Sequence, residues 1–159
     1  MILRLFFFLA FLIFLSSCDS NILFEENHEI SNQNWSHADT LNFKFGIADT
    51  TEVINLWLDV EHSVDYSFQN LYVQIFTKFP NGMRHQDLLS LELADKTGWW
   101  FGKCDSEMCR TSIMIQEHIY FPEEGDYEIT LKQFMRVDPL EGVKNFGVRI
   151  ERTGEKRAS

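Results

Sequence analysis

The fold class is decided by the alternating stretch Tyr127-Glu128-Ile129-Thr130-Leu131-Lys132. Successive side chains of a β-strand point to opposite faces of its sheet, so the three apolar residues would face a core and the three polar residues would face water. The stretch therefore predicts a strand with one buried and one exposed face. From Trp35 onward, no long stretch follows the 3.6-residue period of a helix.

The same period of two recurs on both sides of this stretch. The candidate strands are residues 41–45, 53–61, 71–79, 88–93, 97–101, 111–121, 127–136 and 145–151. Both faces of 53–60 are largely apolar, which predicts a central strand in a stack of two sheets. Proline and glycine separate the runs at 79–82, 121–125 and 138–142, as tight turns require. We expect an all-β fold, an antiparallel β-sandwich of jelly-roll or immunoglobulin-like type, whose strand order one sequence leaves open.

The chain has 159 residues, which accommodates one domain and a targeting segment. We divide it into a signal peptide at 1–17, a lipid-anchored tether at 18–34, a β-sandwich domain at 35–151 and a flexible tail at 152–159. Asp and Glu number 24 against 14 Lys and Arg. Such an acidic surface repels phosphate backbones, so we expect no nucleic-acid partner.

The N-terminus has the pattern of a secretory signal. A single charge, Arg4, precedes an apolar run from residue 5 to residue 15, and this run is too short for a transmembrane helix, which needs about twenty residues. Next, Leu15-Ser16-Ser17-Cys18 resembles the bacterial lipobox, in which small residues admit the peptidase and the cysteine thiol receives a diacylglycerol. We expect cleavage before Cys18 and a membrane anchor on its lipid. The alternative is a secreted protein in which Cys18 is incidental.

The other two cysteines, Cys104 and Cys109, are predicted to form a disulfide. Export places them in an oxidising compartment, and with Cys18 lipidated only these two remain to pair. Metal binding is the alternative, but a structural zinc site usually has four ligands and only His118 lies close in sequence. The spacing also differs from the redox motif Cys-x-x-Cys.

The sequence offers no catalytic site that can be assembled from known motifs. The histidines are scattered, and we expect surface or loop roles for them: His28, His37, His62, His85 and His118. The acidic groups at 59–61 and 123–126 lack the spacing of a calcium loop and look like solvated strand edges and turns. No phosphate loop, dinucleotide fingerprint or nucleophile elbow occurs. We therefore expect no enzyme activity, no metal and no cofactor.

The candidate binding segment is Gly98-Trp99-Trp100-Phe101-Gly102. In a strand, adjacent side chains such as Trp99 and Trp100 point to opposite faces. One of them should pack inward, and the other should be covered by a loop or presented to a partner, where tryptophan is a common anchor. The sequence leaves open which of the two is exposed.

Several segments, taken in order, resemble the GldH family of gliding-motility lipoproteins of Bacteroidota. After the lipobox at Cys18 they are residues 66–73, 79–82, 91–100, 121–127, 133–136, 140–143 and 147–151. The resemblance extends over nearly the whole chain. The pair Cys104 and Cys109, and the segment Val60-Glu61-His62, depart from the family pattern.

This resemblance implies a cell-envelope lipoprotein required for gliding motility. The lipid on Cys18 would hold it to a membrane, for which we choose the outer membrane rather than the inner, facing the periplasm. The resemblance also implies a non-enzymatic accessory or structural role, with protein partners in the type IX secretion and gliding machinery. The alternative function is a glycan- or peptide-binding β-sandwich lipoprotein that uses Trp99 or Trp100.

Overall fold

The structure, a computed structural model, describes residues 21–158. The predicted signal peptide and the predicted lipidation site Cys18 lie outside the described residues. The described part is all-β, as predicted, and a short 3₁₀ turn occupies Ser31–Gln33. No helix in this part of the chain is long and apolar enough to cross a membrane. The strands are β1 (Ile22–Glu29), β2 (Asn34–Trp35), β3 (Leu41–Ile47), β4 (Glu52–Ser63), β5 (Asn70–Lys78), β6 (Arg84–Glu92), β7 (Lys103–Cys104), β8 (Met108–Ile119), β9 (Gly125–Gln133), β10 (Leu140–Glu141) and β11 (Val143–Lys156).

Two antiparallel sheets form the sandwich. The five-stranded sheet has the order β1-β11-β4-β8-β7, and the four-stranded sheet has the order β3-β9-β5-β6. Strands β2 and β10 form a separate two-stranded ribbon. Because β4 lies between β11 and β8, the prediction of a central strand at 53–61 is confirmed.

The strand pairings nest inside one another along the chain. Strand β1 pairs with β11, β3 with β9, β4 with β8, and β5 with β6, as in one long hairpin folded over on itself. Two further pairings, β4 with β11 and β5 with β9, join the hairpin layers into sheets. This is the strand arrangement of a jelly roll. Of the two sandwich types that the sequence leaves open, the structure therefore has the jelly roll.

Alternate side chains of the strands fill the space between the sheets. In β9, Tyr127, Ile129 and Leu131 are buried and the residues between them are half-exposed, so the alternation predicted for 127–132 is confirmed. Phe43 of β3 and Phe146 of β11 are fully buried in the same core. Full burial of one such side chain is worth about 1.5–3 kcal/mol, which makes these strands the main source of stability.

The structure corrects the predicted tether at 18–34 from Ile22 onward. Strand β1 runs from Ile22 to Glu29 and pairs with β11, for example Phe24 with Ile150. Phe24 also packs on Phe45, with 5.2 Å between the ring centroids. The segment looked like a tether because β1 is an edge strand, whose outward side chains are polar and exposed. The sandwich therefore begins at residue 22 rather than at residue 35.

The C-terminal end also differs from the prediction of a flexible tail at 152–159. Strand β11 continues to Lys156, and Arg152 pairs in register with Ile54 of β4. The Lys156 ammonium lies 2.8 Å from an Asp49 carboxylate oxygen. The sequence predicted a tail here because the side chains are polar. The strand is nevertheless held by backbone pairing and by ion pairs rather than by apolar contacts.

The predicted strand at 97–101 is wrong, because this segment is a loop. It contributes a single bridge, between Ala94 and Trp100. Asp95 accepts hydrogen bonds from the backbone N–H groups of Thr97 and Trp99 at 2.7 and 3.0 Å. Such side-chain acceptors offer the backbone a turn in place of a strand ladder.

The connections between strands gather at the two ends of the sandwich. One end, called the base below, holds Ile22 at the start of β1 and the connections 48–51, 79–83 and 120–124. The opposite end, called the top below, holds the connections 64–69, 93–102 and 134–139. The ribbon of β2 and β10 lies at the top, where the buried Trp35 packs on Phe146.

Removal of β1 tests whether residues 22–29 belong to the domain. We expect the soluble protein of residues 30–159 to unfold at a lower urea concentration than residues 21–159, with a loss of at least about 2 kcal/mol, because Phe45 and the edge of β11 become exposed. The matched control is residues 21–157, which should unfold like the longer protein. Equal unfolding midpoints for 30–159 and 21–159 would show that residues 22–29 add no stability, as expected of a tether.

Candidate binding surface at the top of the sandwich

The structure places Trp99 and Trp100 in the loop at 93–102, which joins β6 to β7 at the top. The Trp99 side chain is 78% exposed, and Phe101 beside it is 60% exposed. Trp100 is half-buried and packs against the core. The prediction that the two indoles separate, one inward and one outward, is therefore confirmed in a loop rather than a strand. The structure identifies Trp99 as the exposed one.

Asp95 holds the loop in shape. One of its carboxylate oxygens accepts hydrogen bonds from the Thr97 hydroxyl at 2.6 Å and from the two backbone N–H groups described above. The Thr97 hydroxyl bond, followed by the bonds from the backbone of Trp99 and Thr97, lowers the pKa of Asp95, so the carboxylate stays charged at neutral pH. Gly98 supplies the turn with a φ of +87°, which side chains with a Cβ rarely adopt. Trp99 therefore projects from a locked turn.

Trp100 attaches the loop to the domain by packing against His62. The centroids of the Trp100 and His62 rings lie 4.5 Å apart, and the Tyr66 ring lies 6.5 Å from Trp100. His62 is fully buried. Burial lowers its pKa, so the imidazole is neutral at pH 7 and its Nδ1–H can donate to the Ser63 carbonyl at 2.9 Å.

The surface or loop role predicted for His62 is wrong. Strand β4 alternates, and His62 continues the inward series of Ile54, Leu56, Leu58 and Val60. The period of two in β4 was the signal that could have placed it in the core. Its Nε2 has no hydrogen-bond partner among the described residues. The other four histidines lie at the surface or are half-buried.

The predicted disulfide fixes the strand β7, which follows the C-terminal end of the loop. Cys104 and Cys109 are bonded, with their Cα atoms 4.0 Å apart, and they pair in register across the hairpin of β7 and β8. Gly102 precedes β7 at a close backbone approach, since a Cβ there would lie 2.4 Å from the Arg110 carbonyl oxygen. Asp105 accepts backbone hydrogen bonds from Glu107 and Met108 and so shapes the hairpin turn.

The acidic groups of β4 do not form a metal site. Asp59 and Glu61 lie on the outer face of the five-stranded sheet, where Asp59 pairs with Arg149 at 3.0 Å and Glu61 with Arg110 at 2.7 Å. Across residues 21–158, no group of three His, Cys, Asp or Glu side chains could hold a metal ion. These carboxylates act in cross-strand ion pairs.

The top of the sandwich thus presents an exposed aromatic side chain on a fixed loop. Binding through this indole costs little backbone entropy, because the loop backbone is already held in place. Such a group suits an apolar side chain of a protein or the face of a sugar ring.

The fold and the lipobox together define the class of protein, a bacterial lipoprotein with one jelly-roll domain. The chain belongs to the GldH lipoprotein family, whose model matches residues 22–150. The matched region begins with β1, which agrees with the placement of this strand inside the domain.

Two relatives match nearly the whole chain. The gliding motility lipoprotein GldH homolog of Christiangramia forsetii is 28% identical over 155 residues, 93% of this chain and 94% of that protein. The gliding motility lipoprotein GldH of Flavobacterium johnsoniae is 27% identical over 146 residues, 87% of this chain and 90% of that protein. Among solved structures, a family GH115 4-O-methyl-α-glucuronidase matches 81% of this chain with a TM-score of 0.41 and 11% identity, and the match spans 14% of that enzyme.

The two adjacent tryptophans should differ in their effect on stability. We expect Trp100→Ala to lower the free energy of unfolding by about 2 kcal/mol or more, because it opens a cavity against His62. Trp99→Ala should change it by less than about 0.5 kcal/mol, because the side chain is exposed. Urea titrations of the two variants provide the comparison, each serving as the other's control. Equal losses would contradict the assignment of Trp99 as the exposed indole.

Proposed function

We propose that this protein is a lipid-anchored gliding-motility lipoprotein of the cell envelope, with a non-enzymatic role alongside the type IX secretion and gliding machinery. The observation that carries the proposal is membership of the GldH lipoprotein family, whose model matches residues 22–150 of the jelly roll. Both relatives described above are named as gliding-motility lipoproteins. The outer membrane, with the domain facing the periplasm, is the location we assign.

The anchor on Cys18 would hold the domain close to the membrane. The Asn21 carbonyl accepts a hydrogen bond from the Arg152 backbone N–H at 2.7 Å, so the chain is already fixed to β11 at that residue. Cys18 lies three residues earlier, and three residues span at most about 10 Å. The base would therefore lie next to the lipid surface and the top would point away from it. Several acyl chains make such an anchor far firmer than one.

Three groups that could perform acid–base chemistry, His62, Asp59 and Glu61, are committed to structural contacts, which supports a role without catalysis. His62 is covered by Trp100, and the carboxylates Asp59 and Glu61 are held by arginines. A general base must reach a substrate proton from an accessible position, and these groups are instead committed to packing and ion pairs.

A second candidate function is glycan or peptide binding through the Trp99 loop. The exposed indole of Trp99 and the neighbouring Phe101 favour it, because aromatic faces stack on sugar rings and on apolar side chains. Glycan arrays with the wild-type protein and the Trp99→Ala variant would test this function. Binding that is absent at millimolar sugar, or unchanged in the variant, would remove the glycan part of it.

The anchor is tested by Cys18→Ala in a gliding host whose own gene is deleted. We expect the variant to leave the membrane fraction and single-cell gliding to fall to the level of the deletion strain. Ser20→Ala is the matched control, because it leaves the acylated cysteine in place and should restore both properties. Fractionation and tracking of single cells measure the outcome.

Each contrary result affects a different part of the proposal. If the deletion strain glides normally, the motility role is lost. If Cys18→Ala leaves the membrane and cells still glide, the lipid is dispensable and a soluble role replaces the anchored one. If Cys18→Ala stays in the membrane fraction, Cys18 is not the anchor.

A further inference from the structure

The outer face of the four-stranded sheet differs in charge from the rest of the chain. The register of β3, β9, β5 and β6 places alternate side chains on this face, which we call the basic face. Its basic side chains are Lys44, Lys78, Arg84, Lys132 and, just beyond β9, Arg136. Its acidic ones are Glu128 within the sheet, Asp126 near the base and Glu92 near the top. The excess is basic, in a chain of formal net charge −10.

The cations of the basic face are also unpaired. Elsewhere in the described chain, ion pairs within 4 Å hold the cations Arg110, Lys144, Arg149, Arg152 and Lys156, whereas Lys96, Lys103 and Arg157 have none. None of the five cations of the basic face has a carboxylate of residues 21–158 within that distance. Glu128 lies in register between Lys44 and Lys78, whereas Lys132 lies in register with the uncharged Gln74. Cations without a carboxylate neighbour are available to a ligand of opposite charge.

An apolar hollow of about 460 Å³ lies on this face near the top, and one of the cations, Arg136, lines it. Its lining consists mainly of Phe68, Tyr72, Leu88, Phe134 and Val137. Three of these side chains are about half exposed: Leu88 at 53%, Phe134 at 50% and Tyr72 at 41%. Exposed apolar side chains that cluster, rather than scatter singly, mark interaction surfaces.

We propose that the basic face is a docking surface for a protein whose own surface is acidic around an apolar side chain. The hollow would receive that side chain. Arg136, which lines the hollow, and Lys132 would pair with the surrounding carboxylates. Lys132 lies in the same cross-strand row as Gln74 and Leu88. An apolar centre with a charged rim is the usual anatomy of a protein interface. This inference goes beyond the proposed motility role, and only the argument against a membrane as the occupant rests on the anchor proposed at Cys18.

The area of the face fits a protein partner. Four strands at a spacing of about 4.8 Å, each about nine residues long at about 3.3 Å per residue, cover roughly 20 by 30 Å. One side of a standard protein interface buries about 800 Å², which is of the same order once side chains are included.

The position of the hollow argues against a membrane as the occupant. It lies near the top, between the 64–69 connection and the 134–139 connection, whereas the lipid would attach next to the base. A domain held by its base at a distance of about 10 Å presents the hollow away from its own membrane. We therefore propose a protein as the occupant, and the experiment below would detect anionic lipid if it bound there instead.

Photo-crosslinking in a gliding host tests the docking surface. The benzophenone amino acid p-benzoylphenylalanine replaces Leu88 in the full-length lipoprotein, and Met114 is replaced in the same way on the outer face of the other sheet. Both residues are partly exposed on strands, Leu88 at 53% and Met114 at 39%. We expect Leu88 to crosslink to a protein whose crosslinked peptide, identified by mass spectrometry, lies in an acidic surface, and Met114 to give no such product.

The second part of the experiment reverses charges on the basic face. Lys132→Glu with Arg136→Glu should reduce the Leu88 crosslink at least about fivefold, because two attractive pairs become repulsive. Lys96→Glu with Lys103→Glu reverses two charges off the basic face and should leave the yield unchanged. Thermal melts of the purified proteins establish that both double variants are folded, and a double variant that fails to melt cooperatively is replaced by its single substitutions.

Four results would overturn the proposal. They are a Leu88 product that contains only lipid or glycan, a yield no greater than at Met114, a yield that survives reversal at 132 and 136, and a yield that falls equally in both double variants. The last would mean that overall charge, rather than this face, controls binding. None of these results bears on whether the protein is needed for gliding.

Discussion

The pairing of β1 with β11 is the interaction on which the rest of the structure depends. It joins the first and last long strands, and the other pairs nest inside it, so this outermost pair completes the five-stranded sheet at its β1 edge. It also covers an edge of β11 that would otherwise expose unpaired backbone groups. Because β1 starts at Ile22, the pairing brings the ordered domain to within a few residues of Cys18. With the proposed lipid on Cys18 the domain would be held by its base, whereas a domain on a loose tether could adopt any orientation.

The base, the top and the outer faces of the two sheets therefore differ in what they can contact. In the proposed anchored protein the base faces the membrane, and the top presents Trp99 on a loop fixed by Asp95, Gly98 and the disulfide. The outer face of the five-stranded sheet is closed by its own ion pairs, with Arg149 over the Trp57 ring at 5.0 Å from its centroid. The basic face keeps its cations unpaired. The Trp99 loop and the basic face are therefore the two surfaces that we propose for partners.

The sequence predicted the parts of this structure in which burial alternates. The period of two in β9, β3 and β4 reflects one buried face, and the disulfide followed from compartment and pairing. The edge strand β1 was missed because its exposed side chains, such as Glu25 and Asn27, have the composition of a linker. The loop at 97–101 was predicted as a strand because aromatic residues favour strands, whereas the Asp95 carboxylate holds its backbone in a turn. The basic face could have been found, since β5 and β9 place Lys78 and Lys132 outward, but which strands adjoin is a property of the fold.

The most direct test of this account measures how far each end of the domain lies from the membrane. Spin labels at Met83→Cys, on the base, and at Trp99→Cys, on the top, would be compared in lipidated protein reconstituted into vesicles with nickel-chelating headgroups, the disulfide being kept oxidised. Strand β4 has twelve residues, so the two ends lie about 40 Å apart. If the base lies next to the lipid, the nickel should relax the label at residue 83 strongly and the label at residue 99 little. Equal relaxation at both sites, or the reverse order, would contradict it.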